Sequence, residues 1–393
     1  MIKNIGNRAA YVTGAFQSAL YNFSTGKVYS INDQGTQILS KFFSGQEIEN
    51  VEFLSMVSQT MGVPLDDFSD YVFPPIPPRL QFVWMELTQK CNSRCIHCYQ
   101  GESHLEAMKP LSINEWKNII TQCAALNCPH IQFIGGEPSI CSYLPELIAY
   151  AYNSGIRRIT IFTNLLFLTD ELLLAIQKYK VSVNFSIYGA SASVHDRITQ
   201  ITGSFDKLIT NIKRLQEVHI VLRASIILMK ENEREYERIR NLLRSLKIDN
   251  IHYDEIRKVH GGTQSPHLLT NSFVQNVRPN FRTKKSDFEA SMRINTCWFG
   301  KLVIATDGSI FPCEFERNIT YGNIRTESIK EVLEGDLIKK YWYLSYKNIS
   351  PCRDCEYRFA CKDCRPIAYA ENGCMTDKNP RCRYDPFKGV WDS

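Results

Sequence analysis

The stretch Thr88-Gln-Lys-Cys-Asn-Ser-Arg-Cys-Ile-His-Cys-Tyr99 sets Cys91, Cys95 and Cys98 in a C-x3-C-x2-C spacing. Three thiolates this close can hold three irons of a [4Fe-4S] cube and leave the fourth iron open to a small molecule. Zinc favours four closed ligands, usually as two C-x2-C pairs, and so fits the spacing less well. On either side, between Leu80 and Arg257, apolar strand-like runs alternate with helical stretches. Strands are predicted near Phe82-Leu87, His130-Ile134, Arg158-Thr163, Ser182-Ile187, Val221-Leu228 and Ile251-Ile256, with helices near 112–126, 142–153, 169–179, 205–217 and 232–246. Such alternation predicts a parallel sheet with crossover helices, and six units suit an incomplete (β/α)6 barrel of the α/β class. Reactive groups on barrels gather at the carboxyl ends of strands, and the cysteine loop follows the first strand.

Gly135-Gly-Glu-Pro138 follows the second strand. Glycines let backbone approach a ligand closely, and Glu137 supplies an acceptor for an ammonium group. With the cysteine loop and the aromatic Tyr99 directly after it, this motif resembles the radical S-adenosylmethionine (SAM) enzymes. The resemblance implies that the open iron chelates the methionyl amine and carboxylate of SAM, and that Gly135, Gly136, Glu137 and Pro138 bind the amine. By strand order it also implies Asn164 after strand three, Ser186 at the ribose, Arg223 at the SAM carboxylate and Tyr99 near the adenine. One electron from the cluster would then cleave SAM to a 5'-deoxyadenosyl radical able to abstract hydrogen from unactivated carbon.

From Cys297 the ligand density rises. Cys297 and Cys313 fit C-x10-G-x4-C around an Asp307-Gly308 hairpin turn, and Cys352-x2-Cys355-x5-Cys361-x2-Cys364 follows, with Cys374 and Cys382 beyond. Eight thiols in 86 residues exceed what a core requires. The pattern is similar to the SPASM extension of radical SAM enzymes, which carries two auxiliary [4Fe-4S] clusters, for three clusters in all. That resemblance implies a distal cluster on Cys352, Cys355, Cys361 and Cys382 and a proximal one on Cys297, Cys313 and Cys364. The usual C-x3-C spacing is shortened here, with only Lys362 and Asp363 between Cys361 and Cys364. The proximal cluster is left with Cys374 as a fourth ligand, or with an open iron. An open iron would suit a substrate thiolate and thioether formation. Glu314, directly after Cys313, matches the position where sulfatase-maturing relatives hold an acidic base.

Residues 1 to 73 carry four Lys/Arg and seven Asp/Glu and lack a ligand cluster. Ala19 to Ile31 predicts two short strands around a Ser-Thr-Gly-Lys turn, followed by a helix capped by Asn32 or Asp33 and a second helix around Val51 to Met61. A hairpin followed by helices resembles the winged-helix, PqqD-like leader-recognition domain of peptide-modifying systems, whose open sheet edge can accept a peptide as an added strand. Four prolines between Pro74 and Pro78 mark its boundary. The expected domains are therefore 1–73 for leader recognition, 80–257 for the radical SAM core, a linker at 258–296 and the SPASM domain at 297–393.

The 393 residues are 44% apolar, ample for packed cores, and carry a formal charge of +5. From Arg257 to Arg293 seven Lys/Arg against two Asp/Glu account for that excess, in a polar stretch with Gly261-Gly262 that predicts a solvated linker rather than a nucleic-acid surface. No apolar signal segment opens the chain, and no run approaches the roughly 18 residues of a membrane span. The fourteen cysteines are thus expected as reduced ligands in a cytoplasm. The resulting expectation is a cytoplasmic maturase of a ribosomally made precursor peptide, of the sactipeptide or ranthipeptide type, with a flavodoxin or ferredoxin as electron donor and a thioether as product. Carbon–carbon crosslinking, epimerisation and formylglycine formation in a sulfatase stand as alternatives. A leader-binding or electron-transfer scaffold is the non-enzyme alternative.

Overall fold

The computed structural model describes residues 1–100, 109–258, 265–270, 274, 276–362 and 364–392. Gly261, Gly262 and Asp363, used in the sequence reading, lie outside the described residues. The chain divides into two compact units, one of residues 1–77, 275–299 and 340–393, the other of 78–274 and 300–339.

In the first unit, β1 (Ile2–Ile5), β2 (Ala9–Thr13), β3 (Ser18–Asn22), β4 (Val28–Ile31) and β5 (Phe68–Asp70) form an antiparallel sheet in the order β4-β3-β2-β1-β5. β3 and β4 are the predicted hairpin. Asn22 shapes its turn by accepting from the N–H groups of Ser24 and Thr25, both at 3.0 Å. Asn32 caps helix α1 (Asp33–Phe43) through the N–H of Gly35, and α2 (Val51–Met61) ends at left-handed Gly62.

The sequence pattern does not reveal β1, β2 or β5. Ala9-Ala-Tyr-Val12 shows no polar alternation because its strand is covered on both faces. Ile5, Ala9, Tyr11 and Leu20 pack with Leu39, Phe43, Val57 and Met61 from the helix side. Ala10, Val12, Ala19 and Tyr21 face the other way, onto Phe288, Tyr357, Phe359 and Tyr384. These four come from the expected linker and the expected separate tail, so the packed units do not follow boundaries at 73, 257 and 297. Within the expected linker, helix Lys285–Arg293 buries Phe288 and Ser291, while its charges had suggested a solvated strand of chain.

The second unit alternates strand and helix: β6 (Phe82–Glu86), α3 (Ile113–Ala125), β7 (His130–Ile134), α4 (Leu144–Asn153), β8 (Arg158–Thr163), α5 (Asp170–Lys178), β9 (Ser182–Ile187), α6 (Ala192–Thr199), α7 (Ser204–Glu217), β10 (Leu222–Leu228), α8 (Tyr236–Ser245) and β11 (Ile251–Glu255). The six strands lie side by side in sequence order, every pair parallel. One sheet face is apolar, with Met85, Ile131, Phe133, Ile161, Val183 and Phe185 buried, and the helices carry single apolar stripes, such as Trp116, Ile119, Ile120 and Cys123 of α3. A further hairpin, β12 (Lys301–Ile304) and β13 (Ser309–Phe311), turns at Gly308 with φ +89°. β12 pairs in parallel with β6 and β14 (Gly322–Asn323) continues the sheet, so residues 300–339 join the core rather than the tail. Among the described residues no helix is long and apolar enough to cross a membrane.

The Phe288 ring centroid lies 4.8 Å from that of Tyr21 and 4.7 Å from that of Phe359. Phe288→Ala is expected to cost about 3–5 kcal/mol of stability in the first unit. Urea unfolding followed by aromatic fluorescence checks this; an unchanged midpoint would mean that the helix is not part of this core.

Candidate active site

All six parallel strands contribute side chains to a cavity of about 1050 Å³, among them Trp84, Gln132, Phe162, Asn184, Arg223 and Asp254. Cys91, Cys95 and Cys98 line it from the loop after β6.

Three neighbours seat that loop. The turn after β7 docks backbone to backbone, with the Gly136 N–H donating to Thr88 O at 2.7 Å and the Glu137 N–H to Lys90 O at 2.9 Å. A Cβ at Gly135 would stand 2.3 Å from Thr88 O, and one at Gly136 2.4 Å from Lys90 O. The two glycines, expected to admit a ligand, thus admit the cysteine loop itself. Helix α6 supplies the second support: Arg94 N–H and the Ser93 hydroxyl donate to Thr199 O at 3.0 Å, and Ile96 N–H to Ile198 O at 3.1 Å. Asn164 is the third, its side-chain amide donating to Asn92 Oδ1 at 2.8 Å and lying 3.8 Å from Cys91 Sγ.

Glu137 is 1% exposed, and its carboxylate accepts from the Thr163 hydroxyl at 2.6 Å and from the N–H groups of Asn164 at 2.7 Å and Ser139 at 3.0 Å. The residue read as an ammonium acceptor therefore ties the β7 turn to the end of β8. Burial pushes its carboxyl up, against these hydrogen bonds. Pro138 opens the short turn Pro138–Ile140 that follows. Ser186 and Arg223 stand on adjacent strands, β9 and β10, and both line the cavity. Tyr99 meets Phe315 edge-on at 5.5 Å between centroids.

Glu314 lines the same cavity. Burial pushes its carboxyl up to about 7, against the pull of Arg257 and Arg317. Arg317 donates to Glu86 at 3.1 Å, and Gln100 also donates to Glu86, which is 2% exposed. That buried carboxylate at the end of β6 ties the residue after Tyr99 to the segment carrying Cys313 and Glu314. Sequence reading missed Glu86, Thr163, Asn92, α6 and Arg317. Only Glu86 carried a visible signal, a charge closing an otherwise apolar strand.

The donor set and its surroundings fit an iron–sulfur cluster with SAM. Burial pushes the Cys91 thiol up to about 12, with Glu137, Cys95 and Cys98 adding to the effect, so a cationic metal core would offset the mutual repulsion of the thiolates. Arg223 Nε is buried without a hydrogen-bond partner, as a guanidinium awaiting an anion would be. Among the described residues no three His, Cys, Asp or Glu side chains gather around a single-ion position; a four-iron cube spreads its ligands more widely. Of the later cysteines, Cys352, Cys355, Cys361, Cys382, Cys297 and Cys364 belong to the first unit and Cys313 to the second. No disulfide joins any of the fourteen cysteines, all of them among the described residues. Cys123, Cys128 and Cys141, which the motifs leave aside, are buried.

Gly136→Ala is expected to push the cysteine loop off its seat, since the new methyl meets backbone on both Gln89 and Lys90. Loss of iron, and SAM cleavage slower by about a hundredfold, are the expected results. Iron analysis and 5'-deoxyadenosine assay check them, and wild-type behaviour of the variant would refute the seating role.

Comparison with known proteins agrees with this geometry. Residues 85–243 match the Radical SAM superfamily, and residues 297–356 match the SPASM iron-sulfur cluster-binding domain. The AdoMet-dependent heme synthase of Methanosarcina barkeri is 25% identical over 345 residues, covering 79% of this chain and 98% of the relative. The antilisterial bacteriocin subtilosin biosynthesis protein AlbA of Bacillus subtilis is 25% identical over 286 residues, covering 68% of this chain and 62% of the relative. Among solved structures, Streptococcus suis SuiB bound to precursor peptide SuiA shares the fold with a TM-score of 0.61 at 14% identity, over 97% of this chain and all of that one. The chain thus carries a radical SAM domain and a SPASM iron–sulfur domain, and it is an enzyme.

Proposed function

We propose that this chain matures a ribosomally made peptide by forming an intramolecular crosslink, with a thioether from a cysteine sulfur as the expected product. The observation that carries a peptide over a tetrapyrrole is the charge of the cavity. Among the described residues its cations are Arg94, Arg223 and Arg257, against Glu137, Asp254, Glu255 and Glu314. Arg257 is paired with Asp254, and Arg223 is assigned to the SAM carboxylate. A tetrapyrrole bearing several carboxylates would meet more acid than base here, whereas a peptide segment carries no such demand. Two relatives support the choice of substrate class from outside the cavity. AlbA is named for bacteriocin biosynthesis, and SuiB, whose fold spans nearly the whole of this chain, was crystallised with its precursor.

In this reading Cys91, Cys95 and Cys98 hold the SAM-binding cluster, which with SAM supplies a nucleoside radical able to take hydrogen from unactivated carbon. Asn164, Ser186, Arg223 and Tyr99 orient SAM, and Gly135, Gly136, Glu137 and Pro138 hold its amine end in place by shaping the loop beneath it. Glu314 is assigned to accept a substrate proton. Two auxiliary clusters take Cys352, Cys355, Cys361 and Cys382, and Cys297, Cys313 and Cys364. Cys364 caps the start of helix Arg365–Asn372 and Cys374 follows its end at Gly373. Eight helical residues span about 12 Å, which argues against Cys374 joining Cys364 on one cluster and supports an iron open to a substrate thiolate.

Leader capture is assigned to residues 1–73. The start of β4 is covered, with Val28 N–H donating to Phe281 O at 2.9 Å and Lys27, just before it, bridged to Arg282, whereas β5 pairs with β1 alone among the described residues, which makes β5 the edge proposed to take an added strand.

A cysteine-containing precursor, SAM and reductant should yield a peptide lighter by two hydrogen atoms with stoichiometric 5'-deoxyadenosine. The precursor should perturb the auxiliary-cluster EPR signal, its Cys→Ser form should not, and Cys374→Ala should stay active. Turnover of a carboxylated tetrapyrrole with no peptide reaction would overturn the substrate class. Reaction of a cysteine-free peptide would redirect the product to a carbon–carbon crosslink or an epimer.

A further inference from the structure

We infer that the amino-terminal sheet is a structural part of the Cys352–Cys361 cluster site, and not only a module for peptide capture. The inference rests on the proposed assignment of Cys352, Cys355, Cys361 and Cys382 to one cluster. It concerns residues hundreds of positions away from those cysteines.

The underside of the sheet, opposite α1 and α2, is where the cysteine loop lies. Cys355 and Cys382 pack against the core formed by Ala10, Val12, Ala19, Tyr21, Phe288, Tyr357 and Phe359. Three of the four proposed ligands, Cys352, Cys355 and Cys361, fall within ten consecutive residues. Four polar contacts fix the backbone between them to the sheet. Tyr21, on β3, donates its hydroxyl to Glu356 O at 2.7 Å. Tyr357 and Ser30, on β4, share a hydroxyl bond of 2.7 Å. The Ala15 N–H, in the β2–β3 turn, donates to Asp354 O at 2.7 Å. Arg358 donates from a single nitrogen both to Thr13 O on β2, at 3.0 Å, and to Cys355 O, while its guanidinium stacks over Phe359 at 4.7 Å.

Gly14 shows how close the fit is. A Cβ there would stand 2.5 Å from Glu356 Oε2, 2.9 Å from Glu356 N and 3.1 Å from Asp354 O. Gly14 lies outside the left-handed region, so the need for glycine is contact with the cysteine loop and not its own backbone conformation. A loop with two and then five residues between its thiols has little rigidity of its own, and a cluster binds tightly only where its ligands are held in place beforehand. Tyr21, Ser30, the Gly14-Ala15 turn and Arg358 are the positioning residues that do so. Removing the amino-terminal segment would therefore disturb an auxiliary cluster as well as any peptide bound there.

The test uses full-length variants reconstituted side by side, with iron and sulfide content and Mössbauer spectra as readouts. Gly14→Ala and Arg358→Met should each lose about a third of the iron of a three-cluster protein, with SAM cleavage within about twofold of wild type. Tyr21→Phe, which removes one hydroxyl, should keep its iron but release it to a chelator several-fold faster. Leu39→Ala, in α1 and packed against the opposite face of the same sheet, separates positioning from simple destabilisation and should retain all three clusters. Full iron in both Gly14→Ala and Arg358→Met, or equal loss in Leu39→Ala, would overturn the inference. Wild-type protein holding a single cluster would overturn the ligand assignment and this inference with it.

Discussion

The active-site side of this protein depends on a backbone contact at the ends of three adjacent strands. The cysteine loop leaving β6 lies against the glycine turn leaving β7, and the glutamate of that turn is held by the end of β8. Each part needs the others. Without glycine at 135 and 136 the loops could not approach, and without the donors from Thr163 and Asn164 the buried carboxylate of Glu137 would keep only the Ser139 N–H and carry a heavy desolvation cost. The result is a loop with very little regular structure whose three thiols nonetheless face a defined space. A cluster with one open iron would have to be held by its protein in this way, because the ligand missing from that iron could not help to hold it.

Much of this was legible in the sequence, for a physical reason. Strands of a parallel sheet packed under crossover helices need an apolar residue at every second position over five to seven residues, and those helices need an apolar stripe, so β6 to β10 and most of their helices stand out from composition and period alone. The cysteine spacing and the Gly-Gly-Glu-Pro turn were visible because their chemistry restricts residue types tightly. Their roles were less so. Glu137 has the residue type for an ammonium ligand, but only the fold brings Thr163, Asn164 and Ser139 to its oxygens. The short helix α6 lacked a long apolar period, and its importance lies in two backbone carbonyls, which no side-chain pattern reports.

The first unit was the harder one, since its core is assembled from three distant segments. Ala9-Ala-Tyr-Val12 alternates between two cores, one under α1 and α2 and the other under Phe288, Tyr357 and Phe359. Local periodicity cannot show that a strand has a second face to cover when the cover lies more than two hundred residues further on. The charged helix Lys285–Arg293 had the composition of a solvated linker for the same reason: one ring, Phe288, does most of its packing. Fold and cofactor chemistry are thus written locally, while the arrangement of the cysteine-rich tail is written in long-range contacts.

Reductive cleavage of SAM is the most direct measure of the central claim, that the loop seated on Gly135 and Gly136 carries the radical-generating centre. The reduced, reconstituted protein should convert SAM to 5'-deoxyadenosine and methionine. The Cys91→Ala, Cys95→Ala, Cys98→Ala triple variant should form none while retaining the iron of its auxiliary clusters. Undiminished cleavage by that variant would contradict the account.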